Sequence, residues 1–227
     1  MAFSVNMALD AAHGMVCTMG RVSSLQEQPP SLAMRKRQLV ARELTEAALQ
    51  LLARKGFDAV TIDEIAAAAG VSRRTFFRHF ASKEDVVVQF LAGLGAAIRA
   101  ELAARPPAEP PSVALLHAVR VAVDACSGRA ERALPVVRLI LRTPPLLARF
   151  LEHQGQWRDD LAVELAERLG LDPATALYPP LAAGMALAAF HTVLVRWSGS
   201  DGAQDPAALL DLAFAVLAPA LDTPPTA

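Results

Sequence analysis

The chain has two cysteines, Cys17 and Cys126, far apart and without a partnering pattern. A disulfide framework and a zinc site of the Cys-x-x-Cys type are thereby excluded, and a reducing, cytoplasmic setting is expected. No run of eighteen or more consecutive apolar residues is present, so no membrane association is expected. The first twenty residues are apolar, but no basic stretch precedes them and Asp10 interrupts them, which is not how a secretory signal reads. Also missing are a phosphate-cradling glycine loop, His-Glu-x-x-His, Gly-x-Ser-x-Gly, and any cluster of carboxylates, histidines or cysteines at usable spacing. Catalysis, a cofactor and a bound metal are therefore not expected.

Strand-type alternation is scarce as well, whereas 53% of the 227 residues are apolar, with Ala and Leu dominant. The fold class expected is all-α, as one large domain or a small one followed by a medium one. Net charge is −1, and its distribution says more than its size. From Arg35 to Asp85 ten Lys and Arg stand against seven Asp and Glu, while from Val86 onward eleven stand against fourteen. A basic N-terminal part joined to an acidic remainder fits one part that meets phosphates and one that stays clear of them.

Residues 61–83, TIDEIAAAAGVSRRTFFRHFASK, carry the strongest local signal. Thr61 can N-cap a short helix, and Glu64 three residues on completes a capping box. Ser72 can cap a second helix whose first turn presents Arg73, Arg74 and Thr75. Ile62, Ile65, Val71, Phe76 and Phe80 are spaced to form one small core. Ala66 is small where the helices would cross, and Gly70 permits a left-handed turn. This is a helix-turn-helix, whose second helix enters the major groove of DNA.

Around it the chain divides further. Residues 1–34 lack a sustained period and read as a disordered leader, with Met15, Met19 and Met34 as alternative starts. Residues 35–83 form the DNA-binding domain, whose first helix runs from about Arg35 to Arg54 with Val40, Leu44, Ala48, Leu51 and Leu52 on one face. Residues 84–105 form a connecting helix, and the prolines of 106–111 a linker. Residues 112–220 form a larger helical ligand-binding and dimerisation domain, and 221–227 a disordered tail. Its helices are expected near Ser112–Ser127, Glu131–Arg142, Pro145–Leu169, Pro173–Ser198 and Pro206–Ala218, with a kink or restart at Pro179 and Pro180. Leu181 to Val195 is nearly continuous apolar sequence, so that helix should be buried all round, against its own domain and a second subunit.

With these residues in view, the chain resembles the TetR family of one-component transcriptional regulators. The resemblance runs from about Val40 to Val88. It is carried by Ala47–Leu52, Lys55-Gly56-Phe57, Thr61-Ile62, Ala69-Gly70-Val71-Ser72, Thr75-Phe76-Phe77, His79-Phe80 and Ser82-Lys83-Glu84. The sequence RRTFFRHF, with Arg-Leu-Gly and a Trp further on, is similar to the mycofactocin-regulator subgroup, which implies an acyl-CoA-like effector. The family implies a homodimer built on a four-helix bundle from the last two helices of each subunit.

Arg73, Arg74, Thr75 and Arg78 are the side chains expected in or beside the groove, since Arg reads guanine bidentately and Thr can contact a thymine methyl. Ser72 joins this DNA-binding set as the cap of the same helix. The resemblance marks Arg74 as a departure from the family's frequent glycine, hence a candidate for member-specific base reading. Phe77 stands where the family commonly has a phosphate-contacting tyrosine, so its expected role is van der Waals contact. Thr61, His79 and Lys83 match phosphate-contacting positions, with capping or packing the competing role for His79. Two recognition helices imply double-stranded DNA with a palindromic operator, half-sites spaced by about 34–36 Å or more.

In the C-terminal part, Arg138 and Arg142 could flank an effector's head group, with Trp157 and His191 nearby. Salt bridges to Glu131, Glu152 or Asp159 compete for the arginines, and packing competes for Trp157 and His191. The expected function is a homodimeric repressor released from its operator by a small apolar effector. An effector-independent regulator, an activator, a helical enzyme and a protein-interaction module are the alternatives.

Overall fold

Local capping chemistry divides the chain into nine helices among the described residues. The computed structural model describes residues 32–127 and 130–223. The helices are α1 (Leu32–Lys55), α2 (Ile62–Ala68), α3 (Arg73–His79), α4 (Lys83–Ala104) and α5 (Pro111–Ser127). They continue as α6 (Ala130–Arg142), α7 (Pro144–Leu169), α8 (Tyr178–Gly199) and α9 (Pro206–Leu221). No strand occurs among the described residues, in keeping with the all-α expectation. Thr61, Ser72, Ser82 and Asp205 each accept a backbone N–H from the first turn that follows, which fixes four helix starts.

The first three helices form the small N-terminal unit. Leu44, Ala48 and Leu52 of α1, Ile65 of α2, and Phe76 and Phe80 of α3 are almost wholly buried together. Gly70 takes a left-handed φ of 65° between α2 and α3, and Val71 N–H reaches back to the Ala66 carbonyl at 2.9 Å. That closes a Schellman-type turn that a residue with a Cβ would strain. Helix α1 begins at Leu32, three residues inside the stretch expected to be a leader; the rest of that stretch lies outside the described residues.

Helix α4 leaves this unit and packs on α5 and α7, while α1 also touches α6, where Gln50 donates to the Arg132 carbonyl at 3.3 Å. One contiguous set of buried apolar side chains therefore runs from the N-terminal unit into the C-terminal helices. Helix α8 sits among α5, α6, α7 and α9. Helices α4 and α8 are long and apolar enough to cross a membrane, with mean hydropathy 1.6 and 1.4, and both are packed helices of this fold.

Three boundaries differ from expectation, each for a tertiary or turn-forming reason. The proline-rich stretch at 106–111 is a clamped turn rather than a loose linker. Arg168 donates to the carbonyls of Arg105 (3.0 Å), Glu109 (3.1 Å) and Pro106, and α5 starts at Pro111. Helix α8 begins at Tyr178 instead of Pro173. The Asp172 carboxylate accepts from Ala174 N–H and the Thr175 hydroxyl, both at 2.9 Å, so an Asx turn holds this segment out of the helix. Pro179 and Pro180 then fall in its first turn, where a proline costs no hydrogen bond.

The tail does not begin at residue 221. Leu221 is fully buried and its carbonyl accepts from the Tyr178 hydroxyl. Asp222 accepts from Ser112 N–H at 2.9 Å and from its hydroxyl at 2.7 Å, tying the end of α9 to the start of α5.

The tightest helix crossing is that of α4 on α7. A Cβ on Gly95 would overlap the indole of Trp157, so only glycine lets the two axes approach this closely. Gly95→Ala is expected to destabilise the fold by about 1–3 kcal/mol through overpacking. At about 2–4 °C per kcal/mol for a chain of this size, a thermal melt should show it. Adding Trp157→Phe, which trims the indole, should return part of the loss.

Candidate nucleic-acid interface

Four side chains of α3 are exposed together: Arg73, Arg74, Phe77 and Arg78. They lie opposite Phe76 and Phe80, which anchor the helix in the core. The spacing i, i+1, i+4, i+5 makes the exposed four one face. Ser72 Oγ accepts the Thr75 N–H at 3.1 Å and lies 3.0 Å from the Thr75 hydroxyl. One of these hydroxyls donates to the other, which leaves a single O–H between them for an outside acceptor.

The two leading arginines are not equivalent. Arg73 pairs with Asp63 at 2.9 Å across the turn, and its guanidinium lies 5.5 Å from the Phe77 ring centroid. Both partners in that pair are exposed, so the bridge braces the helix by well under about 1 kcal/mol. Arg74 and Arg78 are exposed, and neither forms an ion pair among the described residues. Phe77 remains 46% exposed, large enough an apolar surface to meet a sugar or a thymine methyl. Phe76 and Phe80 are core, as expected.

Three residues expected to meet phosphate are engaged elsewhere. Both donors of Thr61 go to Glu64: its N–H at 2.9 Å and its hydroxyl at 3.0 Å. Glu64 N–H returns the bond at 3.2 Å, completing the capping box. A hydrogen bond from Lys55, then those from Thr61, hold the Glu64 carboxyl down at about 2. Lys83 Nζ donates to the carbonyls of Phe57 (2.7 Å) and Val60 (3.2 Å) and sits 4.6 Å from the Phe57 ring centroid. Its role is to close the α1–α2 loop onto α4, and no sequence signal nearby marks partners more than twenty residues away.

His79 packs on Phe80 with ring centroids 6.3 Å apart, and its Nε2 is buried without a partner. Burial, with Arg78 and Arg37 nearby, lowers its pKa below the ordinary 6.5. Of the two roles open to it, packing as a neutral ring fits this environment better.

The C-terminal candidates do not converge. Arg138 donates to the Ser198 carbonyl at 3.1 and 2.8 Å and pairs with Asp201, so it clamps α6 to the α8–α9 loop. Its partners are none of the three acids expected. Arg142 is exposed. His191 packs edge-on against Phe150 at 5.6 Å, and burial lowers its pKa. Trp157 is buried against Phe150 and Phe190, and its edge also reaches a groove between α4 and α7. That groove went unread in the sequence, although the alanines of α4 at four-residue spacing, Ala92, Ala96 and Ala100, were there to see.

Both lowered histidines bind protons more readily in the unfolded chain. Stability is therefore full above the ordinary imidazole value of 6.5 and falls as pH drops below it toward the folded values. A series of melts across mildly acidic pH should show this decline. The double variant His79→Phe, His191→Phe should flatten it.

Comparison with known proteins decides the family. Residues 44–90 match the family described as bacterial regulatory proteins, tetR family, and residues 109–222 match the MftR C-terminal domain. A protein of Mycobacterium tuberculosis bearing the name mycofactocin biosynthesis transcriptional regulator MftR is 31% identical over 166 residues, covering 69% of this chain and 81% of its own. The chain belongs to the TetR family of transcriptional regulators.

Within that family it is also similar to the HTH-type transcriptional regulator TcmR of Streptomyces glaucescens, at 36% identity over 149 residues. That match covers 63% of this chain, which spans 66% of the relative's length, just under two thirds. Two solved TetR-fold structures share the architecture. The fatty acid degradation regulator FadR from Bacillus halodurans superposes with a TM-score of 0.59 at 21% identity, covering 84% of this chain and 96% of that one. FadR from Bacillus subtilis, in complex with stearoyl-CoA, does so with a TM-score of 0.59 at 19% identity, covering 78% and 97%. These families and relatives are regulators of transcription, not enzymes, and the helix-turn-helix is this TetR member's DNA-binding element.

Proposed function

We propose that this TetR-family regulator acts as a homodimeric repressor that reads a palindromic operator and is released by a small apolar effector. The observation that carries the dimer is an apolar face left uncovered on α8 and α9. Leu181 (54% exposed), Ala188 and Val195 (51%) line it on α8, and Ala208, Leu212 (66%), Ala215 and Val216 (74%) on α9. The spacings repeat every three or four residues, so each helix offers one stripe, and the two helices are packed neighbours. A twofold partner would cover both stripes as a four-helix bundle, with each large side chain contributing on the order of 1 kcal/mol.

On the DNA side, Arg74 and Arg78 would read base edges or phosphates, Phe77 would meet thymine methyls or sugars, and the Ser72–Thr75 hydroxyl pair would add one donor. Arg73 would act beside them, braced by Asp63. The effector would bind among the C-terminal helices and change how α4 sits on α5 and α7, which alters the spacing of the two reading heads. It can do so only by binding one dimer shape better than the other. The stearoyl-CoA held by the Bacillus subtilis relative supports an acyl-CoA-like effector here.

A gel-shift titration with and without a panel of acyl-CoAs tests this reading. Release from the operator by at least one member is expected, and release by none would count against the effector. A reporter fused to the operator, compared with and without the regulator, separates repression from activation.

A further inference from the structure

The groove between α4 and α7 has a chemistry of its own. It encloses about 490 Å³, a volume suited to a small organic molecule. Its α4 wall is nearly featureless: Ala92, Ala96, Ala100 and Ala103 contribute only methyl groups. Every directional contact must therefore come from α7.

Two observations on α7 point to the same kind of ligand. Trp157 is 3% exposed, and its indole N–H is buried with no acceptor. Because Gly95 has no Cβ, the indole edge lies bare where α4 passes, at the floor of the groove. A donor held this way lacks only an acceptor from a bound molecule.

The second observation is charge. Asp160 and Glu164 both line the groove, and Arg99 is the single arginine or lysine beside them. Arg99 is already paired with Glu164 at 2.8 Å, and Asp160 and Glu167 add their fields to it. One guanidinium thus faces three carboxylates. A phosphate-bearing head group would be repelled here, whereas an ammonium would find Asp160 without an ion-pair partner of its own among the described residues.

We propose that the α4–α7 groove binds a small organic ammonium ion that also carries a hydrogen-bond acceptor. The ammonium lies against Asp160 and Glu164, the acceptor takes the Trp157 N–H, and the apolar body lies on the alanine stripe. This site is separate in its chemistry from any acyl-CoA site and does not depend on the sign of regulation.

The test is calorimetric titration of the full chain with three probes of one shape: 4-methoxyphenethylamine, the alcohol 4-methoxyphenethyl alcohol, and the anion 4-methoxyphenylacetate. The amine is expected to bind saturably and to be at least tenfold tighter than the anion. Asp160→Asn, an exposed position, should weaken the amine at least tenfold while leaving the alcohol unchanged. Ala96→Leu with Ala100→Leu, which fills the groove from the α4 side, should remove binding of both. No saturable binding of the amine to the unaltered chain would overturn the proposal. So would equal or tighter binding of the anion, or amine binding that survives both sets of substitutions.

Discussion

Replacing Arg74 with alanine is expected to weaken operator binding by about thirtyfold or more. Arg74 is exposed on the reading face and forms no ion pair among the described residues, so its guanidinium fork is available to a base. A bidentate contact to guanine is worth about 1–3 kcal/mol of discrimination, and a dimer loses two of them, or about 2–6 kcal/mol. The lower end of that range corresponds to roughly a thirtyfold change in affinity. Discrimination at one position of each half-site should relax at the same time. Arg74→Lys should not restore it, because a lysine has no planar fork. Thermal stability should stay within about 0.5 kcal/mol of the parent, as for other surface changes without a partner. Arg73→Ala serves as the contrast: it also breaks the Asp63 pair and uncovers Phe77, so its loss should be less specific for sequence. Fluorescence anisotropy against single-base operator variants measures all three.

The double variant Leu212→Glu, Val216→Glu is expected to convert the dimer to a monomer and to reduce operator affinity by about a hundredfold or more. Both side chains are two-thirds or more exposed in the single chain, so neither supports the subunit's own core. In a twofold bundle the four carboxylates would face one another across a dry seam, where like charges are most costly. Once separated, each subunit binds one half-site alone and loses the effective concentration that linking two heads provides, typically a factor of about 10²–10⁴. Sedimentation should report the monomer, and a melt should show that the subunit still folds cooperatively.

The reading head was legible in the sequence because its determinants are local. The Thr61–Glu64 box, the Ser72–Thr75 cap, the left-handed Gly70 and the buried Phe76 and Phe80 each lie within four residues of their partners in the argument, and all are found as expected. What escaped was set by distance along the chain. Lys83 is claimed by carbonyls 26 and 23 residues away, and Asp222 by Ser112 at 110. Arg138 is held by the α8–α9 loop, so the head-group role considered for it gave way to a clamp. The clamp of Arg168 on the 105–109 turn and the close pass of Gly95 over Trp157 likewise depend on which helices meet. One local signal was there to be read. Asp172-Pro-Ala-Thr175 spells an Asx turn, and it explains why α8 starts five residues later than its apolar period suggests.

The same contrast bears on how the molecule transmits a signal. The reading head is joined to the rest through α4, which rests on α5 and α7, and through the contact of α1 with α6. Anything that parts α4 from α7 acts on the head directly, and the alanine wall of α4 means that few interlocking side chains resist such a shift. Gly95 and Trp157 are the point where that movement would meet steric resistance.

The most direct test of a dimer that reads a palindrome is selection of bound duplexes from a random DNA pool with the purified full chain. Enrichment of an inverted repeat, with half-site centres spaced by about 34–36 Å or more along the duplex, is the expected result. Enrichment of a lone half-site, or of no sequence at all, would contradict it.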